Sequence, residues 1–454
     1  MERGYDKSHF PLSEIISLEN QITSSQQKPP NYNWLSICQI VLNIIACICM
    51  WSIAILILII GVVELGNPSM NSGRMENKAI TNIFLMVAGL GFMGFLQLPS
   101  IYFVVRHHMR KAEDVASPLK FNSWAGWILL SSTITFPLVL LSGSHLSTEG
   151  ISVKLLLPIL HIIGIGIPIL IFYLIGTWKL PLVSHYRDWG VLTTGMTLSP
   201  FLIMIAEIIM LIIFVIIGMV FFVIQPDWQV QLGNLYHQLL SSHPTNQEGL
   251  LKIFAPYILN PWILVAIILF AGIIVPLIEE GIKPIGIWLL LSRGITPMEG
   301  FQLGLLSGAG YALFESLLLA SAPAEWWTVV VARSAASLLH TFNCGLTGWG
   351  IALSWGNRRP GAKHKILPFT FSYLIAILFH GTWNTLAVFL VWAELANLSG
   401  LKSNFTYLIQ LGHLAPFGLI ILVFFFLFIL VLINHKLRRS FHSAAAANSH
   451  ANPA

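Results

Sequence analysis

Glu279-Glu280-Gly281-Ile282-Lys283-Pro284 closes an uncharged apolar stretch, residues 261–278, and decides how the chain is to be read. An ionisable group at the centre of a membrane helix costs at least ~2.5–3.5 kcal/mol on insertion scales. Two adjacent carboxylates in such a run therefore face a protein interior or a water-filled cavity and need partners. Fold and function both turn on which residues meet this pair.

The surroundings of the pair are those of a membrane protein. The chain has 454 residues, 56% of them hydrophobic and 9% charged, where a soluble domain carries about 25% charged residues. Apolar runs fall near 35–63, 79–105, 124–142, 155–176, 197–224, 261–291, 299–321, 326–355, 366–393 and 414–434. Runs of at least ~18–20 residues span a bilayer, so the sequence predicts an all-α polytopic transmembrane bundle of about ten helices. The sixth run is long, and Pro276 and Pro284 are its candidate kink sites.

The runs divide the chain into six parts. A polar N-terminal tail (1–34) precedes an accessory five-helix membrane region (35–224). An extracytoplasmic loop (225–256), which could lie over the membrane as an interfacial helix, leads into a helix core (257–393). An outer loop with the last helix (394–434) and a disordered C-terminal tail (435–454) complete it.

Basic residues orient the set. Arg106, Arg110, Lys111 and Lys120 follow the second run, Lys179 and Arg187 the fourth, and Arg293 ends the sixth. Arg358, Arg359, Lys363 and Lys365 follow the eighth, and Lys436, Arg438 and Arg439 lie in the tail. The opposite loops, 225–256 and 394–413, hold Lys252 and Lys402. The positive-inside rule then puts both termini in the cytoplasm of a multi-pass cell-membrane protein. The net charge of +5 (24 basic minus 19 acidic) sits in these loops. No basic patch is interleaved with aromatics, so nucleic acid is set aside as a partner. Cys38, Cys47, Cys49 and Cys344 lie in apolar runs and read as structural thiols rather than a disulfide framework.

The polar groups inside the runs are unevenly shared. The N-terminal half offers His161 and Glu207, each alone on its helix, which reads as packing more than as a site. Glu279, His340 and His380 fall near mid-span, Glu315 slightly toward the outside, and four consecutive helices of the C-terminal half carry the polar groups. They are Glu279, Glu280 and Lys283; Tyr311 and Glu315; Arg333 and His340; and His380 with Asn384. Spacing of i, i+4 puts His380 with Asn384, Tyr311 with Glu315, and Glu279 with Lys283 on common helix faces. Carboxylates with imidazoles are the inventory for activating water, with or without a metal. Glutamate and histidine suit zinc.

These residues resemble the PrsW family of intramembrane proteases, part of a larger group with the CAAX prenyl proteases and bacteriocin-processing enzymes. The resemblance rests on Glu279-Glu280-Gly-Ile-Lys283, Tyr311-Ala-Leu-Phe-Glu315, His340 and His380-Gly-Thr-Trp-Asn384, in that order across residues 261–393. Tyr311-x-x-x-Glu315 and the position of Lys283 depart from the prenyl-protein enzymes, which favours the PrsW type. The resemblance implies hydrolysis of a peptide bond in a membrane-protein substrate, such as an anti-sigma factor, within the lipid bilayer.

The expectation is thus an intramembrane endopeptidase. Glu279 or Glu280 is the general base, and Glu315, His340 and His380 are candidate zinc ligands, or direct polarisers if no metal binds. Asn384 orients the water or the oxyanion, while Lys283 and Arg333 balance charge. The rival reading is a proton-coupled membrane transporter using buried Glu and His groups. It is disfavoured by the crowding of those groups into one half, where transporters show repeats. A scaffold retaining a protease core is a third reading.

Overall fold

A computed structural model describes residues 34–65, 74–110, 121–148, 156–181, 184–224, 226–242, 247–318, 325–356, 365–399 and 406–451. The expected N-terminal tail, but for Trp34, lies outside these residues. So do Lys111, Lys120, Arg358, Arg359, Lys363 and Lys402.

The described chain is all-α. Its helices are α1 (Trp34–Leu65), α2 (Arg74–Arg110), α3 (Phe121–Thr148), α4 (Leu157–Thr177), α5 (His185–Met196), α6 (Leu198–Ile224), α7 (Pro226–Ser242) and α8 (Gln247–Ile258). A broken segment follows: α9 (Pro261–Leu269), a π-turn (Phe270–Ile274), α10 (Val275–Ile282) and α11 (Ile285–Leu290). Then come α12 (Pro297–Leu318), α13 (Trp326–Trp355), α14 (Leu367–Ser399) and α15 (Thr406–Ala451).

Among the described residues, eight segments are long and apolar enough to cross a membrane by length and composition. Their outward faces carry Ile, Leu, Val and Phe side chains exposed on the surface of the bundle, as a lipid solvent requires. Two further helices, α12 and α13, match the seventh and eighth apolar runs but are not among the eight. At 1.5 Å per residue they are about 33 and 45 Å long, so length is not their shortfall. They are enclosed by other helices, with most of their residues buried, and so can carry polar side chains that a lipid-facing helix cannot.

Close backbone approach makes this centre. A Cβ at Gly304 would be driven into the Cys344 carbonyl, and one at Gly308 into the His340 carbonyl. On its other side α12 meets α5: a Cβ at Gly310 would strike the Leu192 carbonyl. Small residues at helix contacts let dispersion and backbone packing replace the hydrophobic drive that lipid does not supply.

Two segments differ from the sequence reading. Residues 185–196, expected as a cytoplasmic loop, form α5, and Arg187 within it pairs with Glu299 at 2.6 Å. Its mixed composition hides a helix that is stabilised by packing on α12. The last helix runs on to Ala451, so the segment expected to be disordered from 435 is helical as far as that residue. Ala444, Ala445, Ala446 and Ala447 are strong helix formers. The four cysteines are free thiols; Cys344 is buried, whereas Cys38 and Cys49 are exposed on the bundle surface.

Candidate active site

The broken segment between α9 and α11 builds the site. In the π-turn the Val275 N–H bonds the Phe270 carbonyl, one residue beyond helical register. In that register Pro276 would serve the Ala271 carbonyl, and proline has no N–H to give. Asn384 of α14 supplies the donor instead, its Nδ2 lying 2.8 Å from Ala271 O. A second break follows at Lys283-Pro284. The Ile287 N–H bonds Pro284 O, which leaves Lys283 O outside the helical ladder. Ser307 of α12 at 2.6 Å and Ser199 of α6 at 3.1 Å donate to it. The two breaks fix α10 between three neighbouring helices.

Glu279 and Glu280 point inward from α10 and are 7% and 0% exposed. Their common partner is the Lys283 ammonium. Lys283 Nζ lies 2.7 Å from Glu279 Oε2 and donates to Glu280 Oε1 at 2.8 Å. His340 Nδ1 is also 2.8 Å from Nζ, and the Tyr311 ring lies beneath it with its centroid 4.6 Å away. An ammonium only donates, so Nδ1 of His340 is the accepting nitrogen and its proton sits on Nε2. That Nε2 lies 2.7 Å from Glu315 Oε2, and Arg333 holds the same oxygen at 2.7 Å.

His380 enters from α14. Its Nδ1 donates to Glu280 Oε1 at 2.8 Å, which leaves the Nε2 lone pair free. Nε2 faces Glu279 Oε2 at 3.9 Å, too far for a hydrogen bond. The rings of His340 and His380 meet edge to face, with centroids 5.4 Å apart.

The expected residues therefore converge, with two exceptions. Glu315 stands behind His340, bound to Arg333, and is outside the group whose ligand atoms lie within 4.8 Å of one another: Glu279, Glu280, His340 and His380. Its distance from that group follows from Arg333, which draws it to the far face of His340. Asn384 does not face the group, because its amide is committed to the π-turn. One residue was missed as a site member. Glu207 of α6 reaches the Glu279 carboxyl, and one of its oxygens is buried without a hydrogen-bond partner. A lone carboxylate in the apolar run 197–224 was the only signal for it.

The model of the PrsW family intramembrane metalloproteases matches residues 206–432, half of the chain. The chain belongs to this family. It is accordingly a multi-pass membrane protein and an intramembrane protease, which disposes of the transporter reading. The match takes in every PrsW-like motif and also Glu207, and it leaves α1–α5 outside. No curated protein and no solved structure matches the chain.

The description of the PrsW family implies a metal, and the buried Glu279, Glu280, His340 and His380 are of the right chemical types for one. Their arrangement does not fit it. The centre toward which three of the four direct their ligand atoms is taken by Lys283 Nζ, at 2.7–2.8 Å from each. A metal would have to displace an ammonium that is itself 0% exposed.

Proposed function

We propose that Glu279 is the general base and that it acts on a water held between its Oε2 and Nε2 of His380. The supporting observation is the 3.9 Å gap between those atoms. The gap is too wide for direct bonding and within the span of one bridging water, which would donate to both. Glu279 Oε2 is buried and accepts no hydrogen bond from the protein. Glu280 is tied to both Lys283 and His380 and serves to orient them.

In this reading Glu279 removes a proton from the water as its oxygen attacks the peptide carbonyl carbon. The tetrahedral intermediate collapses when the proton passes from Glu279 to the departing amide nitrogen, which releases the new amine and carboxylate. Lys283 holds the charge of the glutamate pair, and Arg333 with Glu315 fixes the tautomer of His340. General acid–base catalysis of this kind contributes about 10²–10⁴-fold.

The substrate is a membrane protein. We further propose a regulatory single-span protein of the anti-sigma-factor type as its class, on the family likeness, and a cell-membrane location with both termini in the cytoplasm, on the loop charges. The test is cleavage of a panel of tagged single-span membrane proteins by the full chain. Glu280→Gln and His380→Ala variants fold but cleave none of the panel; cleavage retained in both would sink the assignment.

A further inference from the structure

We propose that the Lys283 ammonium is the resident cation of this site, holding the position of a divalent metal, so that the protease works without one. The proposal rests on the protease reading above and concerns how the same site is charged.

Three acceptors converge on Nζ: Glu279 Oε2 at 2.7 Å, Glu280 Oε1 at 2.8 Å and His340 Nδ1 at 2.8 Å. Glutamate oxygen and imidazole nitrogen are zinc donors; here the ammonium hydrogen-bonds Glu280 Oε1 and His340 Nδ1 and ion-pairs with Glu279 Oε2. The Tyr311 face closes the fourth side. A metal cannot share this space, because a second cation within a few ångströms of the buried Nζ is repelled by it.

The lysine is also hard to displace. Its carbonyl is clamped by the hydroxyls of Ser199 and Ser307, so the backbone that carries the ammonium is fixed on two other helices. Its side chain is fully buried. A cation tethered three and four residues from its carboxylates competes at a high effective concentration against any free metal. Side chains of metal-binding type are thus gathered around a built-in monovalent charge.

The experiment is zinc stoichiometry. Full-length protein is purified in detergent, incubated with excess zinc chloride, desalted and measured by elemental mass spectrometry. Wild type is expected to hold far less than one zinc per chain and to cleave its panel substrate equally well after chelator treatment. Lys283→Met opens the cage and is expected to hold about one zinc per chain, lost again when His340→Ala is added. Should Lys283→Met not be recovered folded, Lys283→Gln takes its place; should neither be recovered, the zinc content of wild type decides.

Wild type with one zinc per chain, or a folded Lys283 variant with no more zinc than wild type, overturns the proposal. A zinc-loaded wild type that cleaves leaves the protease reading standing and removes only this one. A zinc-free wild type that cleaves nothing counts against the protease reading instead.

Discussion

Asn43, Ser100 and Thr193 form one buried polar cluster, on α1, α2 and α5; Glu279, Glu280, Lys283, His340 and His380 form another, on α10 and the residue that ends it, α13 and α14. In the first, Asn43 donates to Ser100 Oγ at 2.6 Å and accepts from Thr193 at 3.3 Å, and Gln39 adds a further donor to Ser100. Every member is neutral, and no side-chain atom of the three is left without a partner. In the second, the members are ionisable, Glu280 Oε2 is buried without a hydrogen-bond partner, and Glu279 faces a gap. Buried polar groups that satisfy one another specify packing, whereas incompletely satisfied ones mark chemistry. Only the second lies within the family match.

Three substitutions sharpen the contrast. Lys283→Met leaves the glutamate pair buried and uncompensated, and in zinc-free buffer it should lower stability by about 3–5 kcal/mol. The thermal midpoint in detergent measures this, and a midpoint equal to wild type would place the two clusters on the same footing. Asn384→Ala strips the donor from Ala271 O and should cost about 1–3 kcal/mol. It should also lower cleavage, because the π-turn it holds leads directly into α10. Ser100→Ala removes a hydroxyl shared by neutral partners and should cost about 1 kcal/mol, with cleavage per folded molecule unchanged. Loss of cleavage there would mean that the neutral cluster also takes part in the chemistry.

Much of this site was legible in the sequence because charge in an apolar run is a strong signal. The glutamate pair, Lys283, His340 and His380 could be placed at one depth from their positions in successive runs. What escaped was set by tertiary contact. The mixed composition of residues 185–196 does not announce a helix, and α5 is held by the glycine contacts of α12. Glu207 has no charged neighbour on its own helix, so its meeting with Glu279 cannot be read from spacing. Asn384 shares a face with His380, as its i, i+4 spacing requires. Its actual partner depends on a π-turn and on the missing N–H of Pro276, and the turn has no periodic signature. Glu315, expected as a ligand, meets His340 from behind, and Arg333 takes it out of the ligand group.

In the proposed mechanism Glu279, not Glu280, activates the water. The direct measurement is the cleavage rate of one panel substrate by Glu279→Gln, with the folded fraction checked by thermal melting in detergent. Glu279→Gln is expected to lose roughly 10²–10⁴-fold in rate with a melting midpoint close to wild type. A folded Glu279→Gln protein that cleaves within a few-fold of wild type would contradict it.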